Sequence, residues 1–149
     1  MRTLGLETSA LIFLIQLNFK GEKMDIPDNL LYSEDHEWIE VESNLCLIGI
    51  TEFAQGELGD IIFMELPEVG LEVSKGDSIG TIEAVKTVAD VYSPINGEVI
   101  EVNLSLEDNP ELLNNDPYGD GWIIKIKPSN EINASEHLTS SQYKKFIGK

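Results

Sequence analysis

One short stretch places an isolated amine in a setting that could make it a target for acylation. The segment Gly80 to Pro94 (GTIEAVKTVADVYSP) contains a single basic residue, Lys86, among Ile82, Ala84, Val85, Thr87, Val88, Ala89 and Val91. These are strand-forming residues, and only Glu83 and Asp90 interrupt the apolar run. Outside the N-terminal segment and the C-terminal helix the chain has four lysines, Lys75, Lys86, Lys125 and Lys127. Lys75 falls in a turn, and Lys125 and Lys127 fall on the wet face of an alternating strand, but Lys86 has apolar neighbours on both sides. A strand at Ser78–Glu83, a tight bend and a second strand at Val88–Tyr92 would set Lys86 at a hairpin tip. An enzyme that docks on a fold to acylate one amine needs a protruding lysine on a rigid turn. By geometry alone a solvated lysine on a β-turn explains the residue as well.

The other chemistry-bearing residues form no catalytic set. His36 is the one histidine before the C-terminal tail, and no Ser/His/Asp or Cys/His arrangement accompanies it. HEWIE lacks the second histidine of a zinc helix, and the glycine-rich turns GELGD and SKGDSIG match neither a phosphate loop nor a dinucleotide fingerprint. A packed, hydrogen-bonded histidine is the expectation for His36. Cys46, the sole cysteine, lies in LCLIGI and reads as a small buried hydrophobe, so neither a disulfide framework nor a cysteine metal site is expected.

The elements needed to hold Lys86 are many short strands. Glu37–Glu42 and Leu45–Ile50 alternate apolar and polar residues around a Ser43-Asn44 turn and predict a hairpin. Thr51 is placed to cap a short helix with Phe53, Ala54 and Leu58 on its apolar face, ending near Gly59. DIIFMELP reads as a strand stopped by Pro67. Val69-Gly70, Lys75-Gly76-Asp77 and Asn96-Gly97 mark later bends. Leu106 to Asn115 reads as one or two helical turns, and GWIIKIKPS as a last strand with Ile124 and Ile126 inward. A C-terminal amphipathic helix is predicted with Ser135 as its N-cap and Leu138, Tyr143, Phe146 and Ile147 on its apolar side. The fold class expected is mostly β, a flattened barrel or sandwich with a few short helices at its edges.

With 149 residues, the chain is long enough for one domain with a core. Its 27 acidic against 10 basic residues leave a net charge of -17, which repels phosphate backbones and anionic lipid. Nucleic acid and membrane are therefore not expected as partners, whereas positively charged protein surfaces are. Residues 1–23 contain an apolar stretch too short to span a bilayer and lack the marks of a secretory or mitochondrial leader. Lys20-Gly21-Glu22 can be encoded by a purine-rich ribosome-binding sequence upstream of a start at Met24. The domain is therefore expected to occupy residues 24–149, with 1–23 an untranslated or disordered extension and a bacterial, cytoplasmic origin. A mitochondrial matrix location would apply to a eukaryotic source.

Glu83-Ala84-Val85-Lys86, followed by Asp90 and by YSPINGEV (Tyr92 to Val99), closely resembles the lipoyl-lysine hairpin of the glycine cleavage system H protein family. The resemblance extends in order through YSEDHEW (Tyr32 to Trp38), Ile48 to Thr51 with Ala54-Gln55, Leu58-Gly59-Asp60, Glu65-Leu66-Pro67, Val73 to Asp77, NNDPYGDG (Asn114 to Gly121) and Trp122 to Pro128. It covers roughly Ile26 to Ile147. The family usually has Ser before the Val-Lys pair and small residues after it; Ala84, Thr87, Val88 and Ala89 stand there instead, conservative in size.

The resemblance implies a barrel-sandwich hybrid fold of the lipoyl and biotinyl carrier type, monomeric and non-catalytic. It implies lipoate joined by an amide to Lys86, with Glu83 and Val85 in the recognition sequence of a lipoate ligase or octanoyltransferase. The lipoyl arm would then take an aminomethyl group from the pyridoxal-phosphate glycine decarboxylase (P protein). It would deliver this to the folate-dependent aminomethyltransferase (T protein) and be reoxidised by dihydrolipoamide dehydrogenase (L protein). Glu37 and Asp90 are the expected carboxylates of a pocket for the loaded, cationic arm. Other carriers fit less well: biotinyl domains place Met on both sides of their lysine, and the lipoyl domains of 2-oxo acid dehydrogenases place Asp directly before it. An H-like protein relaying lipoate to other enzymes is the alternative that keeps fold and cofactor.

Overall fold

The structure is a computed structural model, and it describes residues 24–148. The expectation for residues 1–23 lies outside the described residues. Nine strands follow in chain order: β1 (Leu31–Tyr32), β2 (Glu37–Glu42), β3 (Leu45–Ile50), β4 (Ile61–Glu65), β5 (Glu72–Val73), β6 (Ser78–Ala84), β7 (Val88–Tyr92), β8 (Gly97–Val102) and β9 (Ile124–Pro128). Among the described residues four short α-helices accompany them: α1 (Glu52–Leu58), α2 (Ser105–Asp108) and α3 (Leu112–Asn115) between strands, and α4 (Ser140–Phe146) after the last strand. The strands form two open, antiparallel sheets. One has the order β1-β2-β3-β9-β8-β5, the other β4-β6-β7.

Apolar side chains on the facing sides of the two sheets explain why the sheets associate. Ile39, Ile48, Val99, Ile124 and Ile126 of the larger sheet and Ile61, Met64, Ile82 and Val91 of the smaller are buried in one continuous core. Fully burying aliphatic side chains of this size stabilises the fold by roughly 1.5–3 kcal/mol each. Cys46 is buried in the same core. In β9, Ile124 and Ile126 point inward while Lys125 and Lys127 face Glu101 and Glu98 across the ladder to β8. Lys125 Nζ lies 3.1 Å from Glu101.

The β2–β3 hairpin keeps the expected limits, and Ser43 takes the left-handed conformation its turn requires (φ 48°). Trp38 packs over Gly49, its partner across this ladder, where an added Cβ would lie 2.6 Å from the indole. Thr51 caps α1, its hydroxyl accepting from the Ala54 N–H at 3.1 Å.

The C-terminal helix departs from expectation. It begins at Ser140, not after Ser135, and its N-cap is Thr139, which forms a capping box with Gln142. Ser135 instead sits in a 3-10 turn and donates its hydroxyl to Asn133. Leu138, expected on the helix, lies before it in an isolated β-bridge with Tyr32. That bridge holds the chain extended at His137 and Leu138, so the α-helix can start only beyond it. Tyr143 then stacks on Tyr32 with ring centroids 4.8 Å apart and is fully buried, whereas Phe146 remains largely exposed.

Candidate functional site

Lys86 occupies the tip of the β6–β7 hairpin. The ladder closes at Glu83 and Val88, the Ala84 N–H donates to the Thr87 carbonyl at 2.8 Å, and Val85 and Lys86 form the loop between. A second anchor holds this loop from outside. The Val85 N–H donates to the Asp60 carbonyl at 3.0 Å. Asn114 of α3 fixes that neighbourhood in turn: its Nδ2 donates to the carbonyl of Gly59 and to Gln55, and its Oδ1 accepts from the Ile61 N–H. The backbone at the tip is therefore pinned while the Lys86 side chain is exposed. A groove of about 590 Å³ lined by residues 56–60 and 85–87 runs beside it.

Between the hairpin and α1 lies a second cavity of about 300 Å³. Ile50, Phe53, Ile82 and Val91 give it apolar walls, and Glu37 and Asp90 both line it. The structure thus brings the two expected carboxylates to one cleft. Their environments differ. Glu37 is 2% exposed. Its Oε1 accepts from the Ser33 hydroxyl at 2.5 Å and its Oε2 from the Tyr92 N–H at 3.3 Å, so one carboxyl group spans the two sheets. Burial pushes its pKa up to about 7, against the lowering effect of the Ser33 and Tyr92 hydrogen bonds. Asp90 is exposed on β7 and accepts from the Thr81 hydroxyl at 3.0 Å.

His36 is packed as expected. Its Nδ1 lies 2.9 Å from the Tyr143 hydroxyl, and its ring contacts those of Phe53 and Phe146. Burial lowers its pKa, against the raising effect of Asp35 and Glu57. The Tyr143 hydroxyl also lies 2.8 Å from Thr51 Oγ1, which links α4, the site-forming turn and the cap of α1. Glu83 and Val85 are both exposed on the hairpin, on either side of Ala84.

The residues that position this site were only partly visible beforehand. Ser33, Asn114 and Tyr143 lie in stretches noted for their resemblance or helical pattern, but no positioning role was assigned to them. A Ser four residues before a Glu across a turn was the available signal for Ser33; the Tyr92 contact, 55 positions away, had none.

Comparison with known proteins decides the family. The family model of the glycine cleavage H-protein matches residues 30–149. The chain belongs to that family. The H protein of Listeria innocua is 54% identical over 124 residues, 83% of this chain and 99% of its own length. That of Staphylococcus haemolyticus is 50% identical over 125 residues, 84% and 99%. A crystal structure of the H protein of Mycobacterium marinum superposes with a TM-score of 0.76 at 38% identity, covering 83% of this chain and all of that one. Members of the glycine cleavage H-protein family are lipoyl carriers. They hold lipoate covalently on a lysine, serve the P and T proteins and are not themselves catalysts. No helix among the described residues is long and apolar enough to cross a membrane.

Proposed function

We propose that Lys86 is the lysine that carries the lipoyl group in this member of the family, and that residues 24–149 form the carrier domain. The observation that carries the reading is the pairing of an exposed amine on a pinned hairpin tip with an adjacent apolar cleft containing a buried carboxyl group. The fit to lipoate is chemical. The Lys86 amine is free to form an amide, and the cleft offers apolar walls for a hydrocarbon arm. When bound, lipoate supplies a dithiolane that accepts and passes on a one-carbon unit with its amine.

The chain's own residues present the arm and shelter its end. Asp60 and Asn114 hold the hairpin backbone in place. Glu37 and Asp90 offer negative charge where an aminated end would rest. Glu37 at a pKa of about 7 accepts a cation by releasing its proton near neutrality. Glu83, at the last rung of the ladder, and Val85, in the loop beside Lys86, belong to the recognition sequence of the lipoate-attaching enzyme. The L protein is the further partner, reoxidising the dithiol, and the cytoplasm of a bacterium is the compartment.

The test is the intact mass of the protein purified from its own host, with peptide mapping and the Lys86→Ala variant. A lipoyl adduct mapped to Lys86 and absent from the variant is expected. An unmodified Lys86 in lipoate-replete cells, or an adduct on another lysine, would overturn the assignment.

A further inference from the structure

Glu37 stands between two cavities. One is the apolar cleft beside the hairpin. The other, of about 430 Å³, lies where the turn before β2 meets Lys75, the Ser93-Pro94 bend and the segment leading to α4. Ser33 lines this second cavity and not the cleft, so it reaches the carboxyl group from behind. The turn from Ser33 to Glu37 is closed by its backbone. The Ser33 N–H donates to the Glu37 carbonyl at 2.9 Å and the His36 N–H to the Ser33 carbonyl at 3.1 Å, with His36 in the left-handed region at φ 71°. This leaves Ser33 Oγ bonded twice to one residue: it accepts from the Glu37 N–H at 3.1 Å and donates to Glu37 Oε1 at 2.5 Å. Because the N–H occupies the acceptor side of the hydroxyl, its single proton is aimed at the carboxyl group, and a donor so placed favours the ionised form.

We propose that Ser33 makes the cleft selective for an arm that ends in a cation, by holding the Glu37 carboxyl group from behind in a form ready to carry charge. The inference rests on Lys86 carrying the arm and on the cleft receiving it. An oxidised arm ends in a neutral dithiolane and gains nothing from a charge in the cleft. An aminated end is a cation, and it gains from Glu37 only where Glu37 is ionised. Burial works against that charge, and Asp35 on the same turn adds to the opposition. Glu57 of α1 and Asp90 of β7 line the cleft and disfavour a further carboxylate there. Around the second cavity Lys75 is offset by Glu34 and Glu136. His36 and His137 are kept neutral by burial, and so is the Tyr143 hydroxyl of α4. Among the described residues the donors to the carboxyl group are Ser33 and the Tyr92 N–H, the latter at 3.3 Å. The shorter contact therefore does most to keep Glu37 chargeable. Ser33 touches neither Lys86 nor the cleft; it is a positioning residue that acts through Glu37.

The first measurement uses the unmodified protein and follows the Glu37 carboxyl carbon by NMR from pH 5 to 9. Ser33→Ala should raise its titration midpoint by about one pH unit, and Ser33→Thr, which keeps the hydroxyl, should return it to the wild-type value. From a midpoint of about 7, such a rise cuts the charged fraction at pH 7 from about a half to about a tenth. The second uses the lipoylated protein loaded by P protein with glycine, and times the spontaneous hydrolysis of the loaded arm. In that reaction water adds to the carbon, the carbon–sulfur and carbon–nitrogen bonds break, and thiol, formaldehyde and ammonia leave. It should run at least about threefold faster in Ser33→Ala and at the wild-type rate in Ser33→Thr. Reduction of the oxidised arm by a water-soluble phosphine should proceed alike in all three proteins. An unmoved midpoint would overturn the proposal, as would hydrolysis and phosphine reduction accelerated together, the mark of a loosened cleft. Glu37→Gln separates this inference from the reading beneath it. Hydrolysis that Glu37→Gln speeds and Ser33→Ala does not would overturn the role of Ser33 alone. Hydrolysis that neither variant alters would overturn the cleft as the resting place of the arm, and this inference with it.

Discussion

Replacing Glu37 by Gln isolates the energetic cost of keeping an ionisable group between the two sheets. The Gln side chain can keep both contacts, its oxygen accepting from the Tyr92 N–H and its amide donating to the Ser33 hydroxyl, which now donates to Glu37. What it removes is the charge. In the fold the carboxyl titrates near 7 against an ordinary value of 4.5, because burial disfavours the ionised form. The unfolded chain therefore gives up this proton at lower pH than the folded one. The stability contributed by the protonated group is complete below pH 4.5 and is lost as pH rises from there to about 7. From about pH 8 both states are ionised and the dependence stops. The gap of about 2.5 pH units corresponds to about 3.5 kcal/mol at about 1.4 kcal/mol per unit, most of it between pH 5 and 8.

The wild-type curve alone would mix in His36 and His137, whose pKa values burial lowers and which push stability the opposite way, upward with pH. Both histidines remain in Glu37→Gln, so the difference between the two proteins cancels them. Urea unfolding at half-unit steps from pH 5 to 8.5 should show the variant gaining on wild type by about 2–3 kcal/mol, then running parallel above pH 8. Parallel curves across the whole range would mean that Glu37 is already ionised at pH 5 inside the fold, and the argument from burial would fail.

Two further substitutions test the supports of the site. Tyr143→Phe removes a hydroxyl within 3 Å of both His36 Nδ1 and Thr51 Oγ1, leaving a buried polar group short of a partner; unfolding free energy should fall by about 1–3 kcal/mol, read by urea titration at pH 7. Thr139→Ala abolishes the capping box that starts α4 and should cost about 1 kcal/mol, whereas Ser135→Ala, at the expected but unused cap, should change stability by less than about 0.5 kcal/mol in the same assay.

Local pattern carried the hairpins and α1, because their signals lie within a few residues of each other. Alternation in β2, β3 and β9 and the Thr51 cap required no knowledge of distant contacts. The start of α4 failed for the opposite reason: Ser135 and Thr139 are both acceptable caps, and the choice is made by the bridge from Leu138 to Tyr32, more than a hundred residues away. The division into two sheets was equally hidden, since β4 pairs with β6 and β5 with β8, across intervening strands. At the site, Lys86 was legible as an anomaly among lysines. Glu37 was legible only through resemblance. In a chain so acidic a carboxylate draws no notice, and its burial arises from the meeting of β2 with the end of β7.

The setting of the other lysines among the described residues argues further for Lys86 as the address. Lys125 and Lys127 stand opposite glutamates on β8, and one of these pairs closes to 3.1 Å. Lys144 and Lys145 lie in the last turn of α4, where cations stabilise the carbonyl end of a helix. Lys75 sits beside His137, which it helps to keep neutral. Each of these has an electrostatic role in the folded state that acylation would remove. Lys86 has no ion-pair partner among the described residues, and its backbone is held by Asp60 and the ladder, independently of its charge. Converting its amine to an amide therefore disturbs no interaction that stabilises the fold. On this reasoning the loaded and unloaded proteins should differ in what they bind and hardly at all in how they fold.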